Sequence, residues 1–213
     1  MPVPATQPRR KNREATEQTL IDACGYLLLR DGADGIGVNR VVAQAGVGKD
    51  LIYRYFGGLP GLIRAWLERE ANWPTTEELI GGDRVAFAKM DLCDKLKTVW
   101  RNYLDAMRAR PIIIRVMASE LMNPTEVTEV LEQAGDRIGR SLAEIMSDID
   151  DVDQEDVVDL SFVCYTMLNY LCMRAATSPD VFGHDFSQDA GWQYAERMID
   201  TLAVRYLQPT VNR

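Results

Sequence analysis

Apolar side chains recur at a spacing of three and four residues in one segment after another along this chain of 213 residues. This spacing places them on one face of an α-helix, and no stretch sustains the alternation of apolar and polar residues that is typical of a β-strand. Capping patterns begin at Thr75, Asn123 and Asp153. The sequence therefore predicts an all-α chain, with its longer helices over about residues 12–30, 84–110, 125–150 and 154–177 and from Trp192 onward.

The composition excludes several classes of protein. Hydrophobic residues make up 46% of the chain and charged residues 26%, which favours a globular domain over a disordered segment or a bilayer span. The four cysteines form no C-x-x-C pair and there is a single histidine, so we expect reduced core thiols and neither a metal site nor another cofactor. The first residues lack a secretory pattern, which favours a cytoplasmic protein without a membrane partner.

The net charge of −8 is unevenly divided along the chain. Residues 1–70 contain 10 basic and 8 acidic side chains, whereas residues 71–213 contain 14 basic and 24 acidic ones. The acidity therefore belongs to the second part, and the first part remains compatible with nucleic acid. Arg9, Arg10, Lys11 and Arg13 concentrate positive charge near the start. We expect residues 1–11 to form a flexible basic arm that either contacts DNA or is simply solvated.

The segment 37–56 contains two short stretches with helical periodicity around a glycine turn. Val41 in the first stretch and Ile52 in the second can pack against each other, and Gly46 suits a turn that a β-carbon would hinder. This packing leaves the polar side chains of the second stretch facing outward. The segment therefore predicts a helix-turn-helix, a motif whose second helix lies in the major groove of DNA.

Within this segment, the run Ala45-Gly46-Val47-Gly48-Lys49, followed by Leu51-Ile52-Tyr53-Arg54-Tyr55-Phe56, resembles TetR-family transcriptional regulators. The resemblance covers about residues 12–70. It implies about nine helices, with a helix-turn-helix DNA-binding domain at residues 12–58 and a ligand-binding and dimerisation domain at residues 59–213. It also implies a homodimer, formed through the last two helices, that binds a palindromic operator in double-stranded DNA. The family more often represses than activates, and a small-molecule effector in the second domain releases the operator.

The resemblance also implies particular DNA contacts. Tyr53 matches a tyrosine that contacts operator phosphate, and Lys49 matches a position near the start of the recognition helix, where it can reach phosphate or guanine. Tyr55 matches a position used for phosphate or base contact. Asn39 lies where some members read a base, although a local cap is an equally good interpretation. The predicted DNA-binding residues are Asn39, Gly48, Lys49, Leu51, Tyr53, Arg54 and Tyr55.

Three positions depart from the family pattern. Gly48 replaces the usual Ser or Thr of the recognition-helix cap, and Leu51 stands where the family often has Thr. Leu59 stands where a lysine commonly anchors the next helix to phosphate. Backbone amides ahead of Pro60, or the side chain of Arg64, are the available substitutes for that lysine.

Aromatic, methionine and polar side chains on the predicted inner faces of the second domain suggest a pocket for the effector. A pocket for a small molecule needs an apolar lining and a few polar groups, although most of these residues also fit an ordinary core. Arg115 in the pocket would favour an anion and Glu120 a cation, and the sequence leaves this choice open. The candidate ligand-binding residues are Trp100, Tyr103, Met107, Arg115, Met117, Glu120, Tyr165 and Asn169.

The last helix carries an apolar stripe that can pack against another helix or a second copy of the chain. The preceding helix, at about residues 154–177, is apolar nearly all round, which indicates contacts on more than one side. The candidate dimer-interface residues are Leu168, Leu171, Trp192, Ala195, Ile199, Leu202 and Tyr206.

Two other functional classes deserve comparison with a DNA-binding regulator. An enzyme is disfavoured because the single histidine, His184, excludes a helical di-iron site, and no nucleophile motif or phosphate-binding loop appears. A helical adaptor that kept the fold and lost operator binding is the remaining alternative. The missing lysine and the acidic total charge motivate it, and an absence of sequence-dependent, salt-sensitive DNA binding would distinguish it.

Overall fold

The computed structural model describes residues 7–32, 35–69, 72–146 and 154–207. These residues form eleven helices and one pair of short strands, which confirms the all-α fold class. The number is larger than the expected nine because it includes two helices of only four and five residues, Thr76–Leu79 and Arg84–Ala88. In chain order the elements are α1 (Gln7–Asp31), α2 (Val38–Ala45), α3 (Asp50–Phe56), α4 (Leu59–Arg69), α5 (Thr76–Leu79), α6 (Arg84–Ala88), α7 (Leu92–Arg108), α8 (Pro111–Met122), α9 (Glu126–Met146), α10 (Gln154–Ala175), β1 (Asp180–Val181), β2 (His184–Asp185) and α11 (Asp189–Leu207).

Side-chain caps explain where several of these helices begin. Thr75 Oγ1 accepts a hydrogen bond from the Glu78 amide at 3.2 Å, and the Glu78 carboxylate accepts from the Thr75 amide, as the sequence predicted. Asp91 accepts from the Asp94 amide at 2.8 Å, so the predicted helix over 84–110 is two helices, α6 and α7. The cap predicted at Asn123 is wrong, because Thr125 Oγ1 accepts from the Val127 amide and α9 starts later.

Two other expectations concern the edges of the described chain. The cap predicted at Asp153 lies outside the described residues. Of the predicted flexible arm, residues 1–6 lie outside them as well, and residues 7–11 belong to α1.

The first compact unit extends to Trp73 and also includes Val116–Gln133. Its core is formed by apolar side chains of α1, α2, α3 and α4 that are at most 4% exposed: Leu20, Cys24, Leu27, Leu28, Val41, Ile52, Leu62, Ile63 and Trp66. The domain boundary predicted after residue 58 differs from this division, because α4 and parts of α8 and α9 belong to the first unit.

The second compact unit comprises Pro74–Arg115 and the chain from Ala134 onward. Helices α7, α10 and α11 pack together in it, and the strands β1 and β2 form an antiparallel hairpin ahead of α11. Its core includes Leu96, Leu104, Met107, Leu160, Cys164, Leu168, Ala195 and Ile199, each at most 1% exposed. Among the described helices, none combines the length and the apolar character that crossing a bilayer requires.

The four cysteines are free thiols, as the sequence predicted. Cys24, Cys164 and Cys172 are buried, and removal from water raises the pKa of each thiol to about 12. Because the thiolate is the reactive form, these three side chains act as small core residues rather than as nucleophiles.

Candidate nucleic-acid interface and ligand cavity

Helices α2 and α3 form the turn that the sequence predicted. Gly46 ends α2 with a φ of +67°, and its amide donates a hydrogen bond to the Val42 carbonyl at 2.9 Å. A residue with a β-carbon is strained at this φ, so glycine sets the angle at which the chain leaves α2. Val41 and Ile52 are fully buried on the inner side of the two helices. The burial of these two side chains fixes which face of α3 is turned outward.

The outward face of α3 and the turn before it carry polar and charged side chains. Gly48, Lys49, Tyr53 and Arg54 are exposed, with Tyr53 at 53%. Asn39 is also exposed, in the first turn of α2. The two remaining predicted DNA-binding residues, Leu51 and Tyr55, are half-buried. All seven thus belong to the helix-turn-helix, and their contacts with DNA remain predictions.

Tyr55 organises two arginines beside this face. Arg54 Nη2 donates to the Tyr55 hydroxyl at 2.9 Å, and the Arg54 guanidinium carbon lies 4.9 Å from the centre of the ring. The Arg13 guanidinium carbon, from α1, lies 5.0 Å from the same ring. Arg13 also donates to Glu17 at 2.7 Å, and this bond raises the pKa of the Arg13 guanidinium. Sequence reasoning placed Arg13 in the basic cluster near the start but did not connect it with Tyr55.

The corner between α3 and α4 is tight. A β-carbon on Gly61 would lie 1.8 Å from the carbonyl oxygen of Phe56, so only glycine lets α4 begin this close to the end of α3. Leu59, at the position of the missing lysine, is 6% exposed and packs in the core. Arg64 Nη2 donates to Gln133 Oε1 at 2.8 Å. The proposed substitute Arg64 is thus already bound by an amide of α9.

A cavity of about 270 Å³ lies between α7, α9 and α10 in the second unit. Its walls are mainly apolar. The side chains that α7 supplies are Leu92, Leu96, Val99 and Trp100, and Leu142 and Val157 are among those supplied by α9 and α10. The size and the apolar lining suit a small organic molecule.

Four predicted ligand-binding residues form one cluster beside this cavity. The ring centres of Trp100 and Tyr103 are 5.6 Å apart, and those of Tyr103 and Tyr165 are 5.9 Å apart. The Tyr103 hydroxyl donates to Asn169 Oδ1 at 2.8 Å. Burial is the main cause that raises the pKa of Tyr103, so the phenol stays neutral and keeps donating. Trp100 is the member of the cluster that also lines the cavity.

The other four ligand candidates lie elsewhere. Met107 lines a second, shallower cavity of about 250 Å³, and Arg115 is exposed. Met117 and Glu120 belong to the first unit. The Glu120 carboxylate accepts hydrogen bonds from the Thr125 amide at 2.9 Å and from two threonine hydroxyls. None of these four residues is among the described lining of the 270 Å³ cavity, and Glu120 already has partners at the start of α9.

The residues predicted for the dimer interface are mostly core residues of the single chain. Leu168, Ala195 and Ile199 are completely buried, and Leu171 and Trp192 are at most 8% exposed. The apolar stripe of α11 faces α7 and α10 of the same chain, so these five pack within that chain, and their part in an interface stays a prediction. Leu202 and Tyr206 are half-buried, and their part in an interface remains a prediction.

An exposed apolar face does occur on α10. Val158 is 64% exposed, Phe162 69% and Tyr165 39%, and their spacing of three and four residues puts them on one side of the helix. We call these three residues the α10 face. The sequence contained a signal for it, since α10 is apolar nearly all round, but the pattern alone could not separate the buried side from the exposed one.

His184 takes part in a ring contact rather than in a cluster of reactive groups. Its imidazole stacks on the Tyr194 ring, with centres 3.7 Å apart and an angle of 16° between the planes. This packing fastens the hairpin to α11, which is a structural use of the histidine.

Comparison with solved structures assigns the fold. A TetR-family transcriptional regulator from Mesorhizobium loti matches with a TM-score of 0.58, over 91% of this chain and 96% of its own, at 12% sequence identity. A transcriptional regulator from Rhodococcus sp. matches with a TM-score of 0.54, over 89% and 95%, at 16% identity. The multidrug binding protein EbrR, in complex with imidazole, matches with a TM-score of 0.55, over 92% and 97%, at 19% identity.

The chain therefore has the fold of TetR-family transcriptional regulators, as the sequence resemblance implied. No family model matches the sequence, and no curated protein matches it significantly. At these identities the likeness concerns the fold alone.

Proposed function

We propose that this chain is a transcriptional regulator of the TetR type, more specifically a repressor that binds a palindromic operator as a homodimer and leaves it when a small molecule binds the second unit. The observation that carries the proposal is the helix-turn-helix. Val41 and Ile52 are fully buried on its inner side, while Lys49, Tyr53 and Arg54 are exposed on its outer side. A short helix with this face suits the major groove of DNA.

Each exposed group has a chemical role at a DNA surface. The Tyr53 phenol donates to a phosphate oxygen, and Lys49 and Arg54 supply positive charge for phosphate or for the acceptor atoms of guanine. Asn39 can pair with adenine, and Leu51 can contact a thymine methyl group. Tyr55 contributes indirectly, because its ring and hydroxyl position the guanidinium groups of Arg13 and Arg54 beside the DNA-binding face.

The α10 face supports assembly into a homodimer. A two-fold axis beside α10 would bring the α10 face of one protomer against the same face of its partner and remove Phe162 from water. Two-fold symmetry presents two copies of α3 in opposite orientation, which explains why the expected operator is palindromic. Leu202 and Tyr206, near the end of α11, remain the candidates for the second helix of this interface.

One helix supports a link between the cavity and the DNA-binding unit. Gln133 of α9 accepts from Arg64 of α4 within the first unit, whereas Gly139, Leu142 and Ala143 of the same helix line the cavity. A ligand that shifts the second half of α9 would act on the Arg64–Gln133 bond, and through α4 on the corner that holds α3. Release of the operator follows if the ligand binds the released arrangement more tightly.

The test is selection of bound fragments from sheared genomic DNA, followed by titration of the best fragment with wild-type and variant protein. We expect a near-palindromic site, and Tyr53→Ala should weaken its binding by about 1 to 3 kcal/mol without changing dimerisation. Tyr26→Ala is the matched control, because Tyr26 is exposed to a similar degree, 47%, on α1 outside the helix-turn-helix. It should leave the affinity unchanged.

Two results would contradict the proposal at different points. Equal losses in both variants would mean that α3 is not the recognition helix. If no sequence is enriched even at low salt, the chain is better interpreted as a helical adaptor of the same fold, in which the exchange of lysine for Leu59 has removed operator binding.

A further inference from the structure

The described walls of the cavity between α7, α9 and α10 carry no charge. Among the described residues, none of those that line it is ionisable, and Ser161 supplies the only hydroxyl group of the lining. A charged group moved into such a site would lose its hydration without gaining a partner, which costs several kcal/mol. The chemistry of the walls therefore favours an uncharged ligand over the anion or cation that Arg115 or Glu120 would have selected.

The volume limits the size of that ligand. An apolar cavity of about 150 Å³ holds a benzene molecule with its six carbon atoms. By the same proportion, the 270 Å³ cavity accommodates a molecule of roughly eleven non-hydrogen atoms. Fused two-ring compounds have this size.

Two buried donors in the neighbouring cluster lack an acceptor. Trp100 Nε1 and Asn169 Nδ2 are both inaccessible to solvent and have no hydrogen-bond partner among the residues that the structure describes. Tyr103 contacts both residues, since its ring packs against the Trp100 ring and its hydroxyl donates to Asn169 Oδ1. An unpaired buried donor is costly, and native proteins rarely keep two of them in one cluster without a use for them.

Trp100 belongs to both the cluster and the cavity. The residue is 91% buried and lines the cavity, and its indole N–H has no hydrogen-bond partner among the described residues. We propose that the effector is an uncharged, mainly apolar molecule of about eleven non-hydrogen atoms that carries one carbonyl or ether oxygen, and that this oxygen accepts the Trp100 N–H. This inference rests on the proposed ligand-responsive function.

The second cavity is a weaker candidate for the same effector. Its cation, Arg108, already has two carboxylates nearby, with Asp105 and Asp189 each at 3.8 Å, and the guanidinium carbon lies 4.6 Å from the centre of the Trp192 ring. An anionic ligand would have to displace these contacts. The first cavity requires no such exchange.

The experiment measures the affinity of the full-length protein for four matched probes without DNA, by isothermal titration calorimetry. The probes are 1-tetralone, which carries a ketone, the hydrocarbon tetralin, and two tetralins that carry either a carboxylate or an ammonium group. We expect 1-tetralone to bind about three- to tenfold more tightly than tetralin, which is the usual worth of one hydrogen bond. Both charged probes should bind at least about tenfold more weakly than 1-tetralone.

Two variants identify the hydrogen-bond donor, and a third tests whether the probes bind in the cavity. In Trp100→Phe, the difference between ketone and hydrocarbon should disappear while tetralin still binds. Ser161→Ala removes the only hydroxyl group of the described lining and should leave the difference intact. Gly139→Leu places a side chain on the face of α9 that lines the cavity and should abolish binding of both probes. Replacing a glycine inside a helix favours folding, so loss of binding in this variant would not reflect an unfolded protein.

Four results overturn the inference. The first is equal affinity for 1-tetralone and tetralin, and the second is a preference for a charged probe. The third is a difference in affinity between ketone and hydrocarbon that survives Trp100→Phe or disappears in Ser161→Ala. The fourth is failure of all four probes to bind at millimolar concentration. Operator binding is measured separately on DNA without probes. A protein that binds an operator but gives one of these results refutes the ligand chemistry alone, whereas binding of 1-tetralone through Trp100 without any operator refutes the regulator alone.

Discussion

Helices α3 and α10 both turn an exposed face to the surroundings, but the two faces are chemically opposite. On α3 the exposed side chains are Lys49, Tyr53 and Arg54, with Tyr53 53% exposed. On α10 they are Val158, Phe162 and Tyr165, with Phe162 69% exposed. The degree of exposure is therefore no guide to what each helix binds, and the difference lies in the side-chain chemistry.

The chemistry of a face determines where its binding free energy comes from. A face with positive charge gains by releasing the counterions that surround DNA, so its affinity depends on the salt concentration. An apolar face gains by removing carbon surface from water, at about 25 cal/mol per Å², with little dependence on moderate salt. The cavity of the second unit belongs with the α10 face in this respect, since its described lining is uncharged.

Changing the salt concentration should separate the two faces most strongly. Between 50 and 200 mM salt, operator affinity should fall by about 10³- to 10⁵-fold, as for proteins that make several phosphate contacts on each half-site. Dimerisation through the α10 face should change by less than about threefold over the same range. Fluorescence anisotropy of labelled operator and sedimentation of the free protein measure the two quantities. Parallel loss of both would show that the dimer is held by charges and not by Phe162.

Two glycines inside helices provide the next test, because they occupy opposite surroundings. A β-carbon at Gly61 of α4 would lie 1.8 Å from the Phe56 carbonyl, whereas one at Gly139 of α9 would meet nothing within 4 Å. Gly61→Ala should therefore destabilise the first unit by about 3 kcal/mol and abolish operator binding, because α4 can no longer approach α3. Gly139→Ala should stabilise the protein by about 0.5–1 kcal/mol.

Thermal unfolding followed by circular dichroism measures both glycine variants. Probe binding in the cavity of Gly61→Ala supplies the control, because the second unit should keep its affinity for 1-tetralone. If Gly61→Ala unfolds at the wild-type temperature, the tight corner between α3 and α4 does not hold the recognition helix in place.

The helix-turn-helix was predictable from the sequence because it is specified locally. Val41, Gly46 and Ile52 lie within twelve residues of one another, and each position allows few alternatives, as the positive φ of Gly46 shows. The capping box at Thr75 was predictable for the same reason. The role of Gly61 was not, because its constraint comes from the carbonyl of another helix and leaves no periodic pattern.

The residues of the second unit were harder to assign because burial there depends on contacts between distant helices. Ile199 fits equally well on a stripe that faces α7 and α10 or on one that faces a second protomer, and the structure shows the first arrangement. Likewise Glu120 is polar and lies near a predicted inner face, but its carboxylate is used by Thr125 and Thr128. Trp100 was predicted as a pocket residue from its type, while its unpaired N–H became visible only in the folded chain.

The α10 face can be tested directly with a buried charge. Phe162→Glu should weaken the homodimer by roughly 150-fold or more, since each of the two protomers loses the burial of a phenylalanine side chain, worth about 1.5–3 kcal/mol, and gains a carboxylate at the interface. Phe182→Glu is the matched control. Phe182 is 99% exposed at the tip of the hairpin, so its replacement should leave the dimer unchanged.

Sedimentation equilibrium at several protein concentrations distinguishes the outcomes of this pair. Weakening by Phe182→Glu and not by Phe162→Glu would move the interface from the α10 face to the hairpin. We expect Phe162→Glu to fold as the wild type does, because Phe162 is more exposed than Tyr53 and contributes little to the core.

The smallest expected effect concerns a charge that serves the stability of the first unit. Asp31, at the end of α1, accepts hydrogen bonds from Arg30 at 2.6 and 2.7 Å and pairs with Arg40 of α2. The Arg30 guanidinium is the main cause that holds the pKa of the Asp31 carboxyl below its ordinary value of 3.8. A carboxyl with a lowered pKa in the folded state stabilises the protein above pH 3.8, and this contribution disappears as the pH falls through the folded-state pKa.

Asp31→Asn should therefore lower the unfolding temperature slightly at pH 7, and the difference from wild type should shrink below pH 3.8 and then vanish. The effect at pH 7 should be small because Asp31 and both arginines remain accessible to water. Asp22→Asn removes a charge from the same helix but affects a hydrogen bond from Gln18 instead of the arginine pairs, and it serves as the control. A difference in unfolding temperature that persists unchanged at pH 2 would mean that the Asp31 side chain stabilises the first unit through its hydrogen bonds and not through its charge. Charge in this unit would then matter more for DNA binding than for folding.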